Sequence, residues 1–247
     1  MKILGLIPAR LASKRLPNKP LLKIDGIPLV IHTMKRAMLC KQLDEIIVCT
    51  DSDLLISIVN KNGGKAMKTK SSHINGTERI AEIAQKIKKK YELIIDIQCD
   101  EVFLNPENLR KLIFFHKKNS TFDIVVPHSV LKEKSCQDVV KILPNNKNEI
   151  IYMSRMDIPF NYYNKKIKLL RHLDTISFKP KALIKFSNLK KSKLEKLENI
   201  ELLRAIENKF KIGTFLINEE NFSINTKKDY IFAKKKMKSN KIRKLYN

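Results

Sequence analysis

The sequence predicts an α/β fold built on a mainly parallel, Rossmann-like sheet with helices on both faces. Short runs rich in β-branched residues alternate with stretches whose apolar residues recur at helical spacing. This strand–helix–strand order is the one that right-handed crossovers join into a parallel sheet. With 247 residues, of which 43% are hydrophobic, the chain can build one such core together with a smaller lobe.

The first half of the chain supplies the elements of this sheet in regular order. The predicted elements are a strand at 2–7 buried on both faces, a loop from 8 to 20, a helix from Pro28, a strand at 45–50, a helix from about 54 to Gly63-Gly64, a third helix carrying apolar positions 80–87, and a strand at 93–97. Thr77 is positioned to cap the third helix. Ligands of parallel sheets bind beyond the carboxyl ends of the strands. The polar segments 8–20 and 98–101 are therefore the expected functional segments.

The second half is less regular. The pattern predicts strands near 123–127, 138–143, 166–178 and 210–217, a helix over about 192–208, and a basic, helix-compatible tail from about Lys234. The whole is interpreted as a core at about 1–130, a smaller part at about 131–220 and a C-terminal helix and tail at about 221–247.

Composition limits the compartment and the class of partner. Four cysteines without CxxC spacing indicate reduced thiols in a cytoplasmic protein. No apolar run is long enough for a membrane span, and the N-terminus reaches Pro8 and Arg10 too soon for a signal peptide. We therefore expect no membrane association.

The net charge of +25 raises the alternative of nucleic-acid binding. The lysines are scattered along the chain, and aromatic residues are not interleaved with the lysine runs as a single-strand platform requires. We therefore favour a solvated basic surface and expect no nucleic-acid partner. Such a surface would still attract an anionic nucleotide or sugar.

The loop after the first strand is rich in cations. Arg10 and Arg15 offer planar forks that match phosphate oxygens, and Lys19 adds a point charge. The Walker pattern is absent. An ordinary surface loop is the alternative, but the position after a buried strand favours anion binding.

Asp100 and Glu101 follow a later buried strand. Hard oxygen ligands at a strand end suit Mg²⁺, which usually takes one or two carboxylates plus substrate phosphates. The alternative is that Asp100 caps a helix N-terminus.

Six segments together resemble one family, and they span nearly the whole chain. They are Pro-Ala-Arg-Leu-Ala-Ser-Lys-Arg-Leu-Pro-Asn-Lys-Pro-Leu at 8–21, His-Ile-Asn-Gly-Thr-Glu-Arg at 73–79, Gln-Cys-Asp-Glu at 98–101, Ser154-Arg155 with Ile158-Pro159, Arg171-His172-Leu173, and the segment from Ser192 to Arg204. Their order and spacing resemble the 3-deoxy-manno-octulosonate (Kdo) cytidylyltransferases, also called CMP-Kdo synthetases. The resemblance implies a nucleotide-diphospho-sugar transferase-like form of the α/β fold, with the smaller part serving sugar binding and dimerisation.

The resemblance also implies roles for particular residues. The residues matching nucleotide-binding positions are Ala9, Arg10, Ser13, Arg15, Lys19, His73, Gly76, Thr77 and Gln98. Those matching sugar-binding positions are Arg155, His172 and Glu201, and those matching metal positions are Asp100 and Asn225. Arg10, Lys19 and Asp100 would carry catalysis. His172 has the alternative of a buried structural histidine, and Glu201 that of an exposed helix residue.

The implied reaction transfers CMP from CTP to the anomeric hydroxyl of Kdo, or of a Kdo-like sugar acid, for cell-surface polysaccharide synthesis. The implied cofactor is Mg²⁺, the implied partners are CTP and the acidic sugar, and the implied assembly is a homodimer. Because charge grows on phosphoryl oxygens and on the leaving pyrophosphate, catalysis would be alignment plus electrostatic stabilisation. No protein nucleophile is required.

Three segments depart from the family pattern. Asn225 stands where the family has a second metal-binding aspartate, so Mg²⁺ affinity is expected to fall or the metal geometry to differ. Leu202 replaces a glutamine, and residues 174–179 replace a Gly-x-Tyr-x-Tyr-Arg segment. These changes leave two alternatives, namely a nucleotidyltransferase for a different 2-keto-3-deoxy sugar acid and a catalytically impaired homologue that acts as a binding protein.

Overall fold

The computed structural model describes residues 2–12, 15–87, 90–131, 136–163, 165, 167–218 and 222–246. They form two compact units. The first consists of Met1–Lys111 with Asn221–Asn247, and the second of Leu112–Glu220. The division thus falls at 111–112 rather than near 130, and the C-terminal segment belongs to the first unit.

Strands and helices alternate along the chain. In the first stretch the elements are β1 (Lys2–Pro8), β2 (Lys23–Ile24), β3 (Ile27–Pro28), α1 (Leu29–Met38), β4 (Glu45–Thr50), α2 (Asp53–Lys61), β5 (Ala66–Lys68), α3 (Gly76–Lys86), β6 (Tyr91–Asp96) and α4 (Pro106–Lys118). They continue with β7 (Ile124–Val130), β8 (Lys141–Pro144), β9 (Ile150–Ser154), β10 (Leu170–His172), β11 (Ile176–Phe178), α5 (Pro180–Ser187), α6 (Lys193–Glu198), α7 (Leu202–Glu207), β12 (Ile212–Leu216) and α8 (Lys227–Met237). Short 3₁₀ helices cover Lys19–Leu21 and Lys241–Leu245.

The sheet of the first unit is parallel, as predicted. Its strands lie in the order β5-β4-β1-β6, and every neighbouring pair is parallel. The order reverses at β1, because β4 and β5 follow on one side and β6 lies on the other. Ligands of such sheets bind where the order reverses, beyond the carboxyl ends of the strands. The segments that follow β1 and β6 are 8–20 and 98–101, the two predicted functional segments.

Local sequence signals explain where the helices of this unit begin. α1 follows Pro28 and buries an apolar face that includes Leu29, Val30 and Met34. The Ser52 side chain caps α2 by accepting a hydrogen bond from the Leu55 N–H. α3 begins two residues earlier than predicted, because the Asn75 side chain accepts from the Glu78 N–H and so occupies the cap position. The prediction that Thr77 caps α3 is wrong, since Thr77 lies inside the first turn.

The second unit is built around β7. β12 runs parallel to β7, β10 and β11 run antiparallel to it, and β8 and β9 extend the antiparallel part. The predicted strand at 166–178 is wrong in extent, because among its described residues, 167–178, the strands are 170–172 and 176–178. The predicted helix at 192–208 is two helices, because Asn199 adopts a left-handed conformation with φ of 52° and ends α6. β5, β9, α4 and α5 were not predicted.

The C-terminal segment packs into the core of the first unit. The buried side chains of Ile224, Ala233 and Met237 form one apolar cluster with those of Ile24, Leu29 and Val102. This places the start of α8 beside the segments that follow β1 and β6. Within the described ranges, no helix combines the length and the apolar character needed to cross a membrane. All four cysteines are free thiols.

Candidate active site

The loop after β1 is folded back on itself by its main chain. The Asn18 N–H donates to the Leu11 carbonyl over 3.2 Å, and Asn18 adopts a left-handed conformation with φ of 53° before the 3₁₀ helix begins. Ala9 is buried, and its N–H donates to the Cys49 carbonyl of β4 over 2.9 Å. The backbone therefore fixes both ends of the segment that carries Arg10, Arg15 and Lys19. Ser13, a predicted nucleotide-binding residue, lies outside the described residues.

The loop cations contact the acidic segment that follows β6 and the segment before α8. The Lys19 ammonium forms an ion pair with the Asp100 carboxylate, and both side chains are largely buried. A guanidinium nitrogen of Arg15 donates to the Asn225 side-chain oxygen over 3.1 Å. The first contact joins residues that are 81 positions apart in the sequence, and the second joins residues that are 210 positions apart.

The main chain holds Asp100 next to the segment that carries Asn225. The Ile224 N–H donates to the Asp100 carbonyl over 3.3 Å. The following residues are fixed by a capping box, in which Thr226 and Asp229 cap the first turn of α8. The two residues predicted to bind metal therefore lie on adjoining segments. No helix begins at Asp100, so the alternative that this residue is a helix cap is wrong.

The donors at this place suit a hard cation only in part. A carboxylate oxygen and an amide oxygen are ligands that Mg²⁺ accepts. Among the residues that the structure describes, no group of three or more His, Cys, Asp or Glu side chains is arranged to hold a metal ion. A cation held by these two oxygens would therefore need further ligands from elsewhere.

Gln98 and Cys99 complete the turn between β6 and Asp100. The Gln98 amide donates to both oxygens of the buried Asp96 carboxylate over 3.0 Å each. The Cys99 carbonyl accepts a hydrogen bond of 3.0 Å from the hydroxyl of Thr33, a buried residue of α1. Burial raises the pKa of the Cys99 thiol to about 12, so this thiol is protonated at neutral pH and is not a nucleophile.

The 73–79 segment approaches the loop from the other side. Arg10 donates to the Ile74 carbonyl over 3.4 Å. A Cβ atom added at Gly76 would lie 3.1 Å from the Pro8 ring, so glycine allows the start of α3 to pack closely on the end of β1. Thr77 is buried at this contact. Arg10, Gly76 and Thr77 are thereby brought to the carboxyl end of β1.

His73 is held by a carboxylate that the sequence did not single out. Its Nε2 lies 2.5 Å from an oxygen of Glu82, one turn further along α3 than Glu78. Burial acts to raise the pKa of Glu82, but hydrogen bonds from the Lys86 ammonium, the Lys70 N–H and His73 together lower it to about 2. Glu82 is therefore ionised at neutral pH and orients the imidazole. The sequence did contain a signal for Glu82, namely an acidic residue at helical spacing after the 73–79 motif.

In the second unit, Arg155 is engaged by the backbone. Its three guanidinium nitrogens donate to the carbonyls of Glu198, Gln137 and Asn199 over 2.8, 2.8 and 3.2 Å. The Glu198 carboxylate accepts from the Arg155 N–H and from the Ser154 hydroxyl. Arg155 thus fixes the end of α6 and the turn that leads to Glu201.

The other two predicted sugar-binding residues are polar and partly buried. Glu201 accepts a hydrogen bond of 2.8 Å from the buried Arg204, so it is not a freely exposed helix residue. His172 lies on β10 with Nδ1 at 3.7 Å from Asp174. Burial lowers the pKa of His172, and the imidazole is neutral at pH 7. Leu202, which replaces the glutamine of the family pattern, is buried.

The fold and this arrangement of cations around a carboxylate that follows a strand are those of a nucleotidyltransferase. Comparisons with known proteins identify the family within this class. A family model described as cytidylyltransferase matches residues 4–212. Two bacterial relatives named 3-deoxy-manno-octulosonate cytidylyltransferase are similar to this chain over nearly their full length. The relative from Fusobacterium nucleatum is 34% identical over 93% of this chain and 94% of its own length, and that from Leptospira interrogans is 35% identical over 92% and 93%. This chain belongs to the 3-deoxy-manno-octulosonate cytidylyltransferase family, which confirms the resemblance seen in the sequence.

Solved structures support the same assignment. A CMP:2-keto-3-deoxy-manno-octonic acid synthetase complexed with CTP matches with a TM-score of 0.92 and 28% identity, over 96% of this chain and 99% of that one. A 4-diphosphocytidyl-2C-methyl-D-erythritol synthase from Anaerococcus prevotii matches with a TM-score of 0.64 and 16% identity, over 96% of this chain and 99% of that one, and shares the fold alone. The predicted α/β nucleotidyltransferase fold is thereby confirmed.

Proposed function

We propose that this protein transfers CMP from CTP to the anomeric hydroxyl of Kdo and releases pyrophosphate, with the loop cations and Asp100 as its catalytic groups. The family membership gives the reaction and its two substrates. The observation that supports the residue roles is the contact of Lys19 and Arg15 with Asp100 and Asn225 at the carboxyl end of the parallel sheet. This is the position where α/β folds bind phosphates and nucleotides.

The chain's own residues would act mainly by binding and alignment. Arg10, Arg15 and Lys19 would neutralise the triphosphate and stabilise the charge that develops as pyrophosphate leaves. Asp100 and Asn225 would hold Mg²⁺, which when bound supplies further neutralisation of the phosphoryl oxygens. Ala9, Gly76, Thr77, His73 and Gln98 would line the nucleotide site.

The sugar acid would be recognised by residues of the second unit. His172 and Glu201 are the polar side chains proposed to face it. Because all three of its guanidinium nitrogens already donate to backbone carbonyls, Arg155 would position the turn leading to Glu201 rather than serve as the main carboxylate partner. Changed residues 174–179 are the segment where selectivity among 2-keto-3-deoxy sugar acids would differ from other members of the family.

The proposed reaction is tested by incubating the purified protein with CTP, Mg²⁺ and a panel of 2-keto-3-deoxy sugar acids, and by identifying the products by mass spectrometry. We expect a CMP-sugar and pyrophosphate with Kdo, and no pyrophosphate when the sugar is omitted. UTP and ATP serve as nucleotide controls. A product formed only with another sugar acid would contradict Kdo as the substrate and leave the class of enzyme intact.

Two results would favour the remaining alternatives. Binding of CTP without any product would indicate an impaired homologue, for which the neutral Asn225 is the structural reason. Absence of thermal stabilisation by CTP, together with steeply salt-dependent binding of polynucleotide, would favour a nucleic-acid-binding protein. The scattered lysines do not favour a nucleic-acid-binding protein, and the family membership favours neither that alternative nor an impaired homologue.

We also propose that the enzyme is a homodimer in the cytoplasm and serves cell-surface polysaccharide synthesis. The free thiols support a reducing compartment. A dimer is supported by large exposed side chains in the second unit, where Met156, Phe160, Tyr162 and Tyr163 are each 66–85% exposed. Light scattering after size exclusion is expected to give twice the chain mass, and Phe160→Asp to lower it. A wild-type mass of one chain at all concentrations would exclude the dimer.

A further inference from the structure

The two side chains proposed to hold the metal are each contacted by a cation of the loop after β1. The Lys19 ammonium pairs with Oδ2 of Asp100. A guanidinium nitrogen of Arg15 donates to Oδ1 of Asn225 over 3.1 Å. The same loop residues are the proposed ligands of the triphosphate, so each cation has two competing anionic or polar partners.

We propose that Lys19 and Arg15 cap the metal-binding oxygens in the nucleotide-free protein, so that a divalent cation gains access to Asp100 only when a triphosphate draws these side chains away. This inference rests on the proposed function, because it takes the triphosphate of CTP as the ligand that removes the cap. It goes further by making metal binding conditional on the nucleotide through two named side chains.

The geometry makes the competition direct. Lys19 and Asp100 have side chains that are 16% and 14% exposed, so solvent screens their attraction incompletely. A metal ion that approaches Oδ2 of Asp100 meets the positive charge of the Lys19 ammonium at contact distance and is repelled by it. A metal ion that arrives first must displace Lys19 without offering the ammonium another anion.

The local charge acts in the same direction. Lys19 brings a positive charge to Asp100, Arg15 brings one to Asn225, and Asn225 itself adds no negative charge. A free divalent cation is repelled by both of these positive charges. A bound triphosphate reverses the local charge and offers the loop cations stronger, charge-assisted hydrogen bonds. Asn225 therefore matters twice, since a neutral amide neither attracts the metal nor holds Arg15 as firmly as a carboxylate would.

The test measures Mn²⁺ binding to the nucleotide-free protein by electron paramagnetic resonance of the free ion. Lys19→Met removes the cap on Asp100 and is expected to tighten Mn²⁺ binding by about tenfold, as judged from the loss of one unit charge at contact distance. Arg15→Leu frees only an amide oxygen and is expected to have a smaller effect. Lys19→Gln serves as a second variant that keeps a polar side chain and loses the charge.

Two further variants separate capping from bulk charge. Lys23→Met removes an exposed lysine near the same loop and should leave Mn²⁺ binding unchanged. The gain from Lys19→Met should disappear in the Lys19→Met, Asp100→Asn double variant. Wild-type protein that binds Mn²⁺ without nucleotide as tightly as Lys19→Met does would overturn the proposal, as would an equal gain in Lys23→Met.

The Mn²⁺-binding measurements remain informative if the proposed reaction is not found. All are measured without nucleotide, whereas the proposed function fails by giving no CMP-sugar in the product assay. Capping would then still describe how this loop controls access of cations to Asp100. Circular dichroism and thermal unfolding of each variant establish that changes in Mn²⁺ binding come from folded protein.

Discussion

Replacing Asp100 by asparagine is expected to reduce kcat/KM for pyrophosphate release by at least about a hundredfold, comparable to the loss of a charge-stabilising group at other active sites. Asp100 supplies the one carboxylate of the proposed Asp100–Asn225 pair, so the variant would offer two neutral amides to Mg²⁺. The effect is measured by continuous pyrophosphate detection with CTP and Kdo over a range of Mg²⁺ concentrations.

The matched control for this substitution is Asp53→Asn. Asp53 is an exposed carboxylate that pairs with Lys68 on the surface, and we expect its loss to leave kcat/KM unchanged. Asn225→Asp is the complementary variant, because it adds the carboxylate that the family pattern has at this position. It should lower the Mg²⁺ concentration required for half-maximal rate. An Asp100→Asn enzyme with wild-type activity would disprove the metal role of Asp100.

The parallel half of the fold followed from the sequence because its signals are local. The strands at 2–8 and 45–50 are apolar runs bounded by polar segments, and their burial makes them readable without tertiary information. The cap of α3 was misplaced because Asn75 and Thr77 are both cap-forming residues, and only the backbone conformation decides between them. The break at Asn199 depends on a left-handed residue inside an otherwise helical pattern.

Several elements escaped prediction for a different reason. β5 has only three residues, too few to show a periodic pattern against its surroundings, and burial does not alternate along the five residues of β9. α4 and α5 are amphipathic, as the predicted α1 and α2 are, so the sequence did contain a signal for both helices.

The candidate site, like the fold, could be predicted from the sequence only in part. The family motifs identified the segments that carry Arg10, His73 and Asp100, but they do not reveal which side chains touch. The contacts of Lys19 with Asp100 and of Arg15 with Asn225 join residues distant in sequence and depend on the register of β1 beside β6. The engagement of Arg155 by three carbonyls likewise required the path of the backbone.

Replacing Arg36 by methionine is expected to lower the free energy of unfolding by about 3 kcal/mol or more, as found when one partner of a buried charged network is removed. Arg36 on α1 is fully buried. Its guanidinium donates to the Leu104 carbonyl over 3.2 Å, to the Asn240 side chain over 2.5 Å and to the Tyr246 hydroxyl over 3.2 Å. Methionine fills much of the volume but makes none of these three hydrogen bonds.

We expect Arg36→Met to impair catalysis as well as stability, because the hydrogen bonds of Arg36 connect the C-terminal segment to the core. Asn240 and Tyr246 follow α8, and the residue that precedes the cap of α8 is Asn225. A loosened α8 would let Asn225 move relative to Asp100 and raise the Mg²⁺ requirement of the folded fraction. Urea denaturation measures the stability, and the metal dependence of the rate measures the displacement.

Two variants make this prediction specific. Arg36→Lys keeps the charge but has a single point donor in place of the planar fork, so it should recover part of the stability. Arg110→Met removes an exposed arginine that pairs with Glu107 within α4 and should unfold with the wild-type midpoint. If Arg36→Met also unfolds like the wild type, the C-terminal segment is held by contacts other than those of Arg36, such as the apolar contacts of Ala233 and Met237, and the network around Arg36 adds nothing to the position of Asn225.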